Sequence, residues 1–218
     1  MGTEEHGVIG KPALAARAGL VATALTTLRE GAAGLISSGN AHASLHENAL
    51  NVSYYKSILG AKPRIPGELP RIEFDTAVTA NYPEGHYGKP EFKFIFKDDF
   101  ADERRYLAIE CKRVDGTRGC DLDRYYVSDG VCRFVNCKYE SYYGWGVMVG
   151  YVIAGSVQGA AAAIQTRLRQ MAQAAILVAN LDRWAGLDDV YQSRHGRSLA
   201  EGPLHLAHYF IVLPMLQE

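Results

Sequence analysis

The segment from Pro90 to Val114, PEFKFIFKDDFADERRYLAIECKRV, holds acids and lysines at spacings that bring them together. Phe92, Phe94 and Phe96 alternate with Glu91 and Lys93, and Leu107, Ile109 and Cys111 alternate with Glu110 and Lys112. A period of two is that of a β-strand. The turn-like DDFADE joins the two strands into an antiparallel hairpin, which sets Glu91 opposite the 110–112 stretch. One face carries the aromatic and aliphatic residues. The other carries Glu91, Lys93, Glu110 and Lys112, so two carboxylates meet a lysine at one end of the hairpin. Like charges at that distance repel unless one holds a proton or a cation lies between them. Mg²⁺ or Mn²⁺ suits such a place, because it takes carboxylate oxygens and keeps several waters. A metal-bound water beside an ammonium group is a nucleophile fit for a phosphodiester. A solvated hairpin face with a cross-strand ion pair explains the same residues without chemistry.

The flanking sequence must position this hairpin. Residues 11–32 are rich in Ala and Leu and read as a surface-packed helix, followed by a Gly/Ser-rich loop over 33–43. Ser44 and Glu47 fit a capping box for a second helix running to about Ile58. Gly60, Pro63, Pro66 and Pro70 stop it. RIEFDTAVTA alternates over 71–80 as a strand and precedes the hairpin. Asp121 starts a helix expected to run to about Tyr139, with Val127, Val131, Phe134 and Val135 on its apolar face. A strand GVMVGYVI and an Ala-rich helix after Ser156 come next. A loop around YQSRHGR then leads to a last strand, HYFIVLP. The order is α/β with a central mixed sheet flanked by helices. It reads as one domain over 1–218: an N-terminal helix and loop over 1–43, a core over 44–153, and a helix and strand over 154–218.

P-E-x18-E-C-K, on these elements, resembles the signature of the PD-(D/E)xK nucleases, the superfamily of restriction endonucleases and related DNA-processing enzymes. The order helix, three strands, helix, strand is similar to that family's shared αβββαβ core, and the likeness covers residues 44–153. DRYYVSDGVCRFVNCKY and the strand MVGYVIAG are also similar to restriction-like proteins of bacterial genomes, some of them in anti-phage systems. The resemblance implies a Mg²⁺- or Mn²⁺-dependent endonuclease. Glu91 would bind the metal, Glu110 would be the second acidic ligand, and the Cys111 backbone carbonyl a third. Lys112 would orient or activate the attacking water. Glu47 matches an acid that some members bring to the metal from the preceding helix. Glu91 departs from the family's usual Asp by one methylene. The alternative is an inactive nucleic-acid-binding or assembly module on the same fold.

Other residues carry weaker signals. Asp75 sits beside the hairpin and is a further candidate ligand. Arg133 falls off its helix's apolar face and, with Lys138, Arg194 and Arg197, could meet a nucleic-acid backbone. His205 and His208 lie an odd distance apart on a strand, hence on opposite faces, which argues against a metal pair. The chain has 48% hydrophobic and 22% charged residues, which excludes disorder throughout. A net charge of -1 excludes a uniformly basic nucleic-acid coat. Cys111, Cys120, Cys132 and Cys137 lack paired metal-ligand spacing, and the acidic start is unlike a secretory signal, so free thiols in the cytoplasm are expected. Ser141 to Thr166 has no charge but splits into strand and helix, so no membrane span is expected. Little chain remains for reading a target, so a homodimer or a helicase or ATPase partner is expected to choose the DNA.

Overall fold

The computed structural model describes residues 14–74, 88–102, 105–117, 121–139, 142–172, 182–183, 187, 189–196 and 203–215. Helices α1 (Leu14–Ser37) and α2 (Glu47–Ala61) lead into strands β1 (Arg71–Phe74), β2 (Phe92–Ile95) and β3 (Leu107–Asp115). A helical stretch follows: α3 (Asp121–Tyr125), a π-helical turn over Tyr126–Val131 and α4 (Cys132–Val135). Then come β4 (Trp145–Ala154), α5 (Val157–Ala172), β5 (Asp182–Arg183), β6 (Val190–His195) and β7 (Leu204–Val212).

The strands form one seven-stranded sheet in the order β1-β2-β3-β4-β7-β6-β5. The pairs β1–β2 and β2–β3 are antiparallel, while β3–β4 and β4–β7 are parallel. The sheet is therefore mixed, with helices on both faces. Period-two alternation decides what each face buries. Phe92, Phe94, Leu107, Ile109, Val147, Val149 and Tyr209 share a core with Val21, Leu25, Leu28, Leu50 and Tyr54 of α1 and α2. Ala108, Met148, Val152, Leu206 and Phe210 share the other with Tyr126, Val131, Phe134, Ile164 and Leu168. The register Phe92↔Ile109 and Phe94↔Leu107 confirms the expected pairing of the hairpin faces.

Several boundaries differ from the sequence reading. α1 continues through residues 33–37, which were expected in a loop. Just before that stretch a small residue serves helix packing. A Cβ at Gly31 would lie 2.4 Å from Ile58 Cγ1, so α1 and α2 can approach this closely only around glycine. The Ser44–Glu47 capping box does not form: α2 is capped by His46 without a side-chain bond, and Ser44 Oγ turns to His42 Nδ1 at 2.7 Å. The third helical stretch stops at Val135, short of Tyr139, because Cys137 takes a positive φ of 56°. The YQSRHGR region is a strand rather than a loop up to His195. Its inward residues Ser193 and His195 are polar, which hid the alternation. Ser141 to Thr166 contains β4 and most of α5, with Ser156 Oγ accepting the Gly159 N–H at 3.1 Å as an N-cap. Among the described residues no helix is long and apolar enough to cross a membrane.

Candidate active site

β3 carries the centre of the site. Glu110 and Lys112 are two residues apart and so point to one face. Glu110 is fully buried and Lys112 is 8% exposed. An ionised carboxylate without water must be satisfied by protein, and this one is. Its Oε1 meets Lys112 Nζ at 2.9 Å and Arg133 at 3.2 Å, and its Oε2 accepts the Tyr139 hydroxyl at 2.5 Å. Arg133 also donates to the Tyr139 oxygen at 2.9 Å. The early helix stop at Val135 lets Tyr139 return to the sheet.

α2 supplies a second acid. Freed from any capping role, Glu47 sets Oε1 2.6 Å from Lys112 Nζ and accepts the Arg113 backbone N–H on Oε2 at 3.2 Å. Lys112 also donates to the Cys111 carbonyl at 3.0 Å. Gly130, in the π-helical turn beside Lys112, leaves room for Met148: a Cβ there would sit 2.5 Å from Met148 Cε. Such turns widen a helix and are frequent at functional sites.

Glu91 lies in the bend just before β2, half-buried. Burial, then the charge of Glu110, push its carboxyl up to about 7. Lys112 opposes that rise, Glu47 adds to it, and the Asn51 amide again favours the charged form. Asn51 is fully buried, and its Nδ2 makes no hydrogen bond of normal geometry. The Glu110 carboxyl is raised because burial outweighs Lys112, Tyr139 and Arg133. For Lys112 burial works downward, but Glu110 and Glu47 outweigh it and hold the ammonium above its ordinary value. Three carboxyls thus face two cations, and the unbalanced acid is Glu91.

The structure brings together Glu47, Glu91, Glu110, the Cys111 carbonyl and Lys112. Arg133 joins them through Glu110 instead of standing free on its helix. Lys93 shares their face and lays its ammonium over the Tyr106 ring at 4.9 Å. Lys138 is exposed, with its carbonyl accepting the Gly88 N–H. Arg194 is exposed on β6, two strands beyond β4 and away from the cluster. Asp75 and Arg197 lie outside the described residues. The sequence reading missed Tyr139 and Asn51. Only the distance of Asn51 from Glu47, one helical turn, hinted that both face the same way.

Among the described residues, no group of three or more His, Cys, Asp or Glu side chains is placed to hold a metal ion. The Lys112 ammonium draws on oxygens of Glu47, Glu110 and Cys111 at once, at 2.6, 2.9 and 3.0 Å. One cation therefore already finds three hard oxygens within reach, the kind that Mg²⁺ and Mn²⁺ prefer. A divalent cation there would have Glu110, the Cys111 carbonyl, Glu91 and Glu47 as its oxygen donors.

No family model, curated protein or solved structure matches this chain.

A second buried polar cluster lies farther along the same sheet. Tyr126 Oη is 3.0 Å from His208 Nδ1. Ser193 Oγ lies 2.7 Å from His208 Nε2 and 2.6 Å from His195 Nε2. His205 is on the opposite face, stacked on Trp145. The expected separation of His205 from His208 therefore holds.

Proposed function

We propose that this chain is a divalent-metal-dependent nuclease with a restriction-endonuclease-like core of the PD-(D/E)xK type. One observation carries the reading. A fully buried glutamate, Glu110, stands two residues from Lys112 on a strand flanked by an antiparallel hairpin partner and a parallel strand, with Glu47 and Glu91 brought to the same point. A site that sets three acids against only Lys112 and Arg133 invites a further cation. The helix-strand-strand-strand-helix-strand order of α2 to β4 supports the same fold reading.

A bound Mg²⁺ or Mn²⁺ would supply Lewis acidity and lower the pKa of a coordinated water. Lys112 would orient the attacking water and offset charge building on the phosphate. Glu110 is fixed by Tyr139 and Arg133, so its carboxylate does not reorganise during the reaction. Glu91, whose carboxyl burial and Glu110 raise to about 7 without a metal, would be held ionised as a ligand by a bound cation. The proposed substrate is DNA, in a bacterial restriction or anti-phage setting in the cytoplasm. Target choice would come from a homodimer or from a helicase or ATPase partner. A monomer that cuts specific sites unaided would overturn that part.

A second reading has its own support. Both oxygens of Glu110 are already occupied by protein donors. A binding or assembly module without catalysis would keep such a cluster as structure. Cleavage of supercoiled plasmid, linear duplex and single-stranded DNA with Mg²⁺ or Mn²⁺ separates the two. The nuclease reading expects metal-dependent cutting that Glu110→Ala and Lys112→Ala abolish while circular dichroism shows them folded. No cutting and no calorimetric Mn²⁺ binding would favour the module.

A further inference from the structure

Asn51 is fully buried in the first turns of α2, four residues after Glu47, so both side chains leave the same stripe of the helix. Its neighbours in that stripe, Leu50, Tyr54 and Ile58, are ordinary packing residues. An amide among them needs a reason, because a half-satisfied buried polar group is worse than an apolar one. Half of it is satisfied: the Tyr151 hydroxyl, from β4, lies 3.0 Å from Asn51 Oδ1 and donates to it. The other half is not, since Nδ2 is buried and makes no bond of normal geometry. The orientation is therefore fixed from the Tyr151 side, with the donor end left over.

Glu91, one residue before the Phe92↔Ile109 pair, lies at the Glu110 end of the hairpin, and Asn51 acts on its carboxyl to favour the charged form. An ionised carboxylate accepts only, so an amide N–H is the end it needs. Glu91 itself sits in a bend before β2, outside the strand ladder that holds Glu110 rigid. Among the acids of the cluster it most needs a partner to fix its direction.

We infer that Asn51, oriented by Tyr151, is a positioning residue for Glu91: its free amide N–H holds one carboxylate oxygen and leaves the other to face the Lys112 ammonium or a divalent cation in its place. The metal half of this rests on the nuclease reading above. The pairing of Asn51 with Glu91 does not.

Two readouts on the full chain test it. The first needs no metal: the Asn51 side-chain amide resonances in a ¹⁵N spectrum at pH 8, in wild type and in Glu91→Ala. They are expected to move when the carboxylate is removed. Unmoved resonances would overturn the pairing. The second is Mn²⁺ affinity by calorimetry. Asn51→Leu is expected to weaken it by about 10- to 100-fold, the usual effect of losing a group behind a ligand. In a Glu91→Gln background the same change should cost at most about twofold, because the two residues act as one unit. Tyr151→Phe, which removes one oxygen and leaves the packing, should weaken Mn²⁺ in the same direction and also lose its effect without Glu91. An equal loss in both backgrounds would mean that Asn51 only supports the fold, and would overturn the proposal. Resonances that move in a wild-type protein that binds no Mn²⁺ would support the pairing and remove the metal reading instead.

Discussion

The cluster around Glu110 and the cluster around His208 are both buried against the sheet under the helical stretch over 121–135, yet they meet burial in opposite ways. Around Glu110 the groups are ionisable acids and bases: Glu47 and Glu110 make ion pairs of 2.6 to 3.2 Å with Lys112 and Arg133, and Glu91 lies beside them. Around His208 they are neutral. Burial, then His195, lowers the His208 imidazole to about 3; burial, then His205, lowers His195 to about 4. A neutral chain needs no counter-ion and can be sealed completely, as His195, Ser193 and His208 are. A charged cluster with one acid too many cannot be sealed so easily. Glu91 and Glu47 keep it partly open to solvent. The difference marks where chemistry is possible. The sealed chain is internal structure, and the open, imbalanced cluster is the place where a cation has something to gain.

The contrast has a sign in pH. His195 and His208 bind protons less readily folded than unfolded. Their stability is complete above about pH 6.5 and is lost as pH falls toward 4 and 3. The two histidines should therefore cost about 5 kcal/mol between pH 6.5 and pH 4, of which relief at Glu91 returns about 2, so unfolding free energies from urea titrations should differ by about 3 kcal/mol in favour of the higher pH, the largest effect expected here. Stability that holds or rises on acidification would mean that the charged cluster governs the whole molecule. Next in size is the Tyr139 hydroxyl. Tyr139→Phe should cost about 2 kcal/mol at pH 7, the worth of a hydrogen bond to a charged group, and much less in a Glu110→Gln background. A double-mutant cycle measures that coupling. Glu91 runs opposite to the histidines, because its folded pKa is raised. Folding carries no penalty from it below about pH 4.5, and the penalty grows to its full size above about 7. Glu91→Gln is thus expected to gain about 2 kcal/mol at pH 8 and nothing near pH 4, read from the same urea series. The smallest effect belongs to Arg194, exposed on β6 outside both clusters. Arg194→Ala should change stability by less than about 0.5 kcal/mol and leave Mn²⁺ affinity unchanged.

The parts legible in the sequence were those governed by short-range periodicity. Alternation over 91–113 fixed which side chains of β2 and β3 share a face, and the register Phe92↔Ile109 follows from the short turn between them. It stopped at Glu91, which the chain leaves in a bend, so its direction depends on Asn51 and not on the strand. Glu47 was visible as an acid, but the capping box offered it a local use. The structure instead spends its two oxygens on Lys112 and the Arg113 N–H, some 65 residues away. Tyr139 and Asn51 act only through tertiary contacts, and nothing in their neighbours' spacing predicts those. β6 was read as a loop because its buried residues are Ser193, which hydrogen-bonds both His195 and His208, and His195 itself, so its buried face is polar. Periodicity of hydrophobicity finds packed faces. It misses faces held by hydrogen bonds.

The central claim is that a divalent cation goes to the acids around Glu110 and not to the histidines. Paramagnetic broadening by substoichiometric Mn²⁺ in a ¹⁵N–¹H spectrum reads this directly. The account predicts that the backbone amides of Glu47, Glu91 and Glu110 to Arg113 broaden first, and that Glu110→Gln removes the effect. Broadening centred on His195 and His208, or no specific broadening, would contradict it.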